Sequence, residues 1–285
     1  MNKVSDLPLA LACADAGIMP SLLPAGQSDK DYLDVVEQQL LEFQKCTGHC
    51  NIVLACRPRE LVDRRWLMLI HGFNVSHIEL LPPSEYSEPT ARLEFPACLA
   101  QVKQTTKILH RIFDAALPIN SYADAYCVKG SESAGYTSDH SVLDTFNTLR
   151  QQQPHLDLIP YGGIGTAQQI QYYVSHGASG VAIGTLFALS TESCLSEQTK
   201  HTLCDKSSKD IVRLDGHPQN AVIFNEHTVD QDRSSWNRCD SLATGIATGT
   251  DGHVYMGQAI DQVKEIKPIK QIVAELVEHI QLDYQ

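Results

Sequence analysis

Short apolar runs alternate with stretches of helical spacing from residue 7 to residue 185 of this 285-residue chain. Sustained β-α alternation of this kind implies a parallel sheet covered by helices, which narrows the fold more than any other feature. The expected strands are IMPSLLP (18–24), NIVLACR (51–57), HIELLPP (77–83), CLAQVKQ (98–104), AYCVKG (125–130), DLIPYGG (157–163) and GVAIGT (180–185). Helical spacing of apolar residues predicts helices over 7–17, 29–46, 59–73, 105–117, 141–153, 166–177 and 268–280. An α/β TIM (β/α)8-type barrel needs eight strands, one more than these runs supply. The opening MNKVSD reads as a loop between a strand and a helix, so the first strand is expected upstream of Met1. An open, doubly wound sheet is the structural alternative.

After Thr185 the pattern loosens. Residues 195–250 are rich in Ser, Thr, Asp and Asn, with IVRL and AVIF as their best apolar runs. The expected organisation is therefore a barrel core over 1–194, an irregular insertion or lid over 195–250, and a C-terminal segment over 251–285 whose helix packs back on the barrel.

Composition excludes several classes of function. A formal net charge of -12 argues against nucleic acid, whose affinity comes largely from Lys and Arg on phosphates. No apolar run approaches the roughly 20 residues that span a bilayer, so no membrane partner is expected. Asp6 and Asp15 flank and interrupt the apolar stretch near the N-terminus, which argues against a signal peptide. The nine cysteines are odd in number and irregularly spaced, and most sit in apolar runs. They read as small buried hydrophobes of a reduced, cytoplasmic protein. CTGHC (46–50) lacks a second ligand pair at zinc spacing, so no metal is expected.

Two segments carry the chemistry. YGGIGTAQQI (161–170) and GVAIGTLFA (180–188) each place glycine between a strand and a helix. Unpaired N–H groups at such a helix start form an anion site, and glycine lets backbone approach a phosphate closely. With the upstream strand counted as the first, Gly162 and Gly163 follow the seventh strand and Gly184 and Thr185 follow the eighth. In a barrel these two loops form the usual phosphate site. GGIGTA lacks the third glycine of the dinucleotide fingerprint, so it reads as a mononucleotide phosphate loop. VKGSESAG (128–135) supplies a third wall. Lys129 ends a strand, where it can neutralise a phosphate or lie near a flat ring, and Glu132 reads as a turn or helix-start carboxylate. Ser133, Ala134 and Gly135 are small enough to let a flat ligand lie against the backbone.

These segments resemble the nitronate monooxygenase (2-nitropropane dioxygenase-like) flavoproteins. The resemblance rests on MNKVSDLPLALACADAGI, VKGSESAG, PYGGIGTAQQI and GASGVAIGTLFALSTES, in that order, and returns at GHVYMGQAIDQVKEIKPIKQIVAEL (252–276). It implies an FMN-bound TIM barrel acting on a small molecule. Gly162, Gly163, Gly184 and Thr185 match the FMN phosphate loops. Met1 matches a methionine beside the isoalloxazine ring and Asn2 follows it. Lys129, Ala134 and Gly135 match the stretch lining the flavin. Tyr136 departs from the pattern, because nitronate monooxygenases carry there the histidine that takes the substrate proton. A neutral imidazole does that at pH 7, whereas a phenol is suited to donating a proton or hydrogen bond. His140, four residues on, is the second candidate catalytic residue; His77 and His110 read as structural or exposed.

The implied activity is oxidation of alkyl nitronates with O2. Relatives with the same barrel include flavin- and NAD(P)H-dependent enoyl-thioester reductases and reductase-like domains of fatty-acid and polyketide synthases, which is the alternative. A non-catalytic barrel within a larger synthase is the third reading. Beyond the small-molecule substrate, the expected partners are a second copy of the chain or neighbouring domains of a synthase.

Overall fold

The structure is a computed structural model that describes residues 4–23, 29–81, 97–116, 122–214, 219–224, 238–278 and 280. The chain divides into two compact units. An N-terminal unit runs to Ile112 and includes 116–127, and a C-terminal unit comprises Phe113–Ala115 and the chain from Val128 onward.

In the N-terminal unit, helix α1 (Leu7–Asp15) starts where the Asp6 carboxylate accepts the Leu9 N–H at 3.3 Å. Strand β1 (Ser21–Leu22), helix α2 (Asp29–Thr47) and strand β2 (Val53–Cys56) follow. Helices α3 (Pro58–Leu61) and α4 (Arg64–Gly72) lead to strand β3 (His77–Leu80). Helix α5 occupies residues 97–102, before strands β4 (Lys107–Ile112) and β5 (Ala125–Lys129), whose last two residues belong to the other unit. Strands β1 to β4 pair in parallel, with Leu22 beside Leu54, Leu54 beside Ile78 and Ile78 beside Ile108. Because side chains alternate across a strand, these residues share one face, and they join Leu40, Phe43, Trp66 and Ile70 in one buried core. Glu79 and Arg111 project from the opposite face. The Arg111 Nε and Nη2 atoms each lie 2.8 Å from a Glu79 carboxylate oxygen, a bidentate pair.

Two expected elements are exchanged. Residues 98–104, expected as a strand, lie largely within α5, and 105–117, expected as a helix, hold β4. Leu99 and Val102 lie three apart and are both buried, which is helical spacing. Ile108, His110 and Ile112 alternate along β4, and all three are buried. The helix expected over 59–73 is two helices, with Asp63 capping α4 through the Arg65 N–H at 2.8 Å.

In the C-terminal unit, strand β6 (Gly135–Tyr136) precedes helix α6 (Val142–Gln152), capped by Ser141. Strand β7 (Leu158–Tyr161), helix α7 (Ala167–Ser175) and the short helix α8 (Thr185–Ala188) follow. Among the described residues the parallel sheet runs β1-β2-β3-β4-β5-β7. The strand expected over 180–185 is reduced to one parallel bridge, Tyr161 with Ala182, because α8 already begins at Thr185.

The segment expected to be irregular carries regular structure. It holds helix α9 (Glu197–Cys204), strands β8 (Ile211–Leu214) and β9 (Gln219–Ile223) and a helix over Arg238–Thr248. IVRL is β8, and AVIF overlaps β9. With β10 (His253–Val254) and β6 they form an antiparallel sheet in which β9 pairs β6, β8 and β10. Short polar strands look irregular in sequence because the apolar alternation lasts only a few residues. The last helix, Ile269–Val277, starts after Pro268, and both Glu192 carboxylate oxygens lie 3.1 Å from the Ile269 N–H. No described helix is long and apolar enough to cross a membrane.

Candidate functional site

Three loops of the C-terminal unit carry the expected site residues: 130–135 after β5, 162–166 after β7, and 182–185 before α8. Met1 and Asn2, expected beside the ring, lie outside the described residues.

The loop after β5 folds as a tight turn, with the Ser133 N–H donating to the Gly130 carbonyl at 3.2 Å. Each carbonyl from Gly130 to Ala134 accepts a hydrogen bond. Thr137 Oγ1 donates to Gly130 (2.8 Å), Asn220 Nδ2 to Ser131 (2.7 Å) and Ser133 (2.8 Å), the Gln258 N–H to Glu132 (2.9 Å), and Lys129 Nζ to Ala134 (2.9 Å). Lys129 is 4% exposed and its ammonium lies 5.1 Å from the centre of the Tyr161 ring. The lysine therefore braces its own loop. The Glu132 carboxylate accepts the Val142 N–H at 3.0 Å at the start of α6, as a helix-start carboxylate does. Burial first, and the Glu132 charge second, hold the Tyr173 phenol above its ordinary pKa.

The loop after β7 packs against this turn. Ser133 Oγ donates to the Tyr161 carbonyl at 2.8 Å. Gly162 has φ 132°, and a Cβ there would lie 2.1 Å from Ser133 Oγ. Gly163 has φ 68°, and its Cβ would lie 2.8 Å from Glu132 Cβ. A larger residue at either position would force a neighbour to shift and would sit at a φ that L side chains rarely adopt. The start of α7 differs from the expectation of unpaired N–H groups. Gln169 Oε1 accepts the N–H groups of Gly165 (2.8 Å) and Thr166 (3.1 Å), while Thr166 Oγ1 accepts that of Gln169 (3.2 Å). This capping box satisfies the helix start internally.

Other N–H groups of these loops are left without a protein partner. Among the described residues the N–H groups of Ala134, Gly163 and Gly184 have no acceptor. A Cβ on Gly184 would meet nothing within 4 Å. Thr185 is 5% exposed, and its hydroxyl oxygen accepts the Gly257 N–H at 3.1 Å while its proton has no acceptor among the described residues. Backbone and hydroxyl donors with open space above a glycine fit a phosphate or another oxyanion.

Gly135, φ 62°, and Tyr136 form β6, paired with Asn220 and Gln219 of β9. Tyr136 is 48% exposed. Gln219 accepts the Tyr255 hydroxyl at 3.0 Å, and Tyr255 is the residue nearest the open side of Gly135. His140 is exposed and is held through its backbone, with its N–H on Ser138 Oγ (3.0 Å) and its carbonyl on the Ser131 N–H (2.8 Å). Among the described residues no hydrogen bond or ring contact joins His140 to Tyr136. Asn220, Gln258 and Tyr255 did not emerge from the sequence as site residues. They come from a stretch more than 80 residues away, where no local spacing marks them.

The profile of the nitronate monooxygenase family matches residues 87–279. No curated protein matches the chain significantly. FabK from Thermotoga maritima is similar in structure, with a TM-score of 0.77 at 20% identity, covering 98% of this chain and 89% of that one. Nitroalkane oxidase from Streptomyces ansochromogenes has a TM-score of 0.74 at 18% identity, with 97% and 93% covered. The enoyl reductase domain of MlnA from the macrolactin cluster of Bacillus amyloliquefaciens has a TM-score of 0.67 at 12% identity, with 98% and 92% covered. At these identities the likeness establishes the α/β fold.

Proposed function

The chain belongs to the nitronate monooxygenase family, whose members are FMN-dependent oxidoreductases, and from that premise we propose that it binds FMN and oxidises alkyl nitronates with O2. The observation that carries the cofactor reading is the donor set of Gly163, Gly184 and Thr185 beside the open space over Gly184. These residues would hold the phosphate, and the loop from Lys129 to Gly135 would line the flavin. Bound FMN supplies the electron-transfer chemistry.

The residues of this chain refine the substrate. A nitronate is already deprotonated at carbon, so its oxidation needs no general base. Tyr136 stands where the family's histidine would remove a proton from a neutral nitroalkane. The expected substrates are therefore preformed nitronates, with neutral nitroalkanes turned over poorly. The exposed Tyr136 hydroxyl also suits a second reading. A reductase acting on an enoyl thioester needs a proton donor at the carbon next to the carbonyl, and Tyr136 can fill that role.

The two readings separate in one set of assays on the FMN-loaded protein. Oxygen uptake with an alkyl nitronate, and little with the parent nitroalkane, supports nitronate oxidation. Flavin bleaching by NADPH followed by turnover of a crotonyl thioester supports the reductase and refutes the first reading. Tyr136→Phe should leave flavin content intact under both, and lower turnover only under the second.

A further inference from the structure

Asn220 lies in β9, opposite Gly135 of β6, and is 6% exposed. Its side-chain amide carries two hydrogens, and its nitrogen lies within hydrogen-bond reach of two carbonyls, Ser131 at 2.7 Å and Ser133 at 2.8 Å. A trans peptide is planar, so its C=O and N–H point in opposite directions. Holding the Ser131 carbonyl therefore aims the Glu132 N–H, and holding the Ser133 carbonyl aims the Ala134 N–H. Neither of those N–H groups has an acceptor among the described residues. Both peptide planes thus turn their donors away from Asn220, and one buried side chain fixes the direction of the two together.

We infer that Asn220 is a positioning residue that orients the N–H groups of Glu132 and Ala134 as donors to acceptor atoms of the bound flavin. The inference rests on the FMN reading above and assigns a role to the segment that looked irregular in sequence. The antiparallel sheet β6-β9-β10 holds the flavin-lining turn from behind. Gln258 adds a hold on the intervening Glu132 carbonyl, but through its backbone N–H, so of these two residues Asn220 is the one whose donors a substitution removes.

The test uses the full chain with FMN as the probe. Asn220→Leu removes both donors at similar volume and adds no charge. Asn220→Ser, small and neutral, retains one hydroxyl donor and carries the test if the leucine variant does not fold. FMN affinity is read by quenching of flavin fluorescence, the bound-flavin environment by visible absorption at saturating FMN, and folding of the apoprotein by thermal melting. Affinity should fall in the order wild type, Asn220→Ser, Asn220→Leu, with a loss of about ten-fold or more for the leucine variant. The absorption of bound flavin should shift in both variants, a change that loss of stability alone does not produce. Wild-type affinity with a superimposable flavin spectrum in the variants overturns the inference alone. A wild-type chain that binds no FMN overturns the FMN reading and the inference with it.

Discussion

The glycines before α7 and the glycine before α8 sit in loops that look equivalent in sequence, yet the protein constrains them differently. Gly162 and Gly163 are fixed from within, because Ser133 and Glu132 occupy the space that side chains would need and both backbones have positive φ. Gly184 has φ -121° and open space where its Cβ would stand. Nothing in the described chain requires glycine there. The first pair shapes the protein, and Gly184 is free to serve what lies outside it. A G-rich pattern alone does not distinguish a packing requirement from a ligand requirement.

Apoprotein stability should grade these positions. Gly162→Ala is expected to cost most, about 3 kcal/mol or more, since its Cβ would overlap Ser133 Oγ and the strained φ adds to the clash. Gly163→Ala should cost about 1–3 kcal/mol, from a positive φ and a contact with Glu132 that is tight but less severe. Lys129→Met leaves the Ala134 carbonyl without its donor and should cost about 1–3 kcal/mol, toward the lower end because the apolar stem is retained. Gly184→Ala should change stability by less than about 0.5 kcal/mol. Denaturant melts of the four variants check the order. A Gly184→Ala loss as large as that of Gly162→Ala would break the comparison.

Strand and helix order was largely legible in the sequence, because buried parallel strands are short apolar runs and the helices carry an apolar stripe. α1, α2, α6, α7 and the last helix lie where spacing and caps place them. The exchange at 98–117 arose where Leu99 and Val102, three residues apart, are followed within a few residues by the alternation of Ile108, His110 and Ile112. The glycine loops were legible as turns, but whether a glycine is crowded or open depends on residues brought in from elsewhere, such as Ser133 against Gly162. Lys129 illustrates the same limit. Its position at the end of β5 was visible, but its hold on the Ala134 carbonyl follows from the turn that the chain makes five residues later. Asn220 was invisible for a stronger reason, since β9 meets β6 only after the chain has passed through the whole of α6 to β8.

The most direct test of a phosphate site at the open glycine is an FMN titration of the wild type beside Gly184→Val, with thermal melts of both apoproteins. The wild type should quench flavin fluorescence on binding. The valine variant should melt as the wild type does and lose FMN affinity by about 100-fold or more, because its side chain fills the space where the backbone N–H would meet an anion. Equal FMN affinity in the two proteins, or no FMN binding by the wild type, would contradict it.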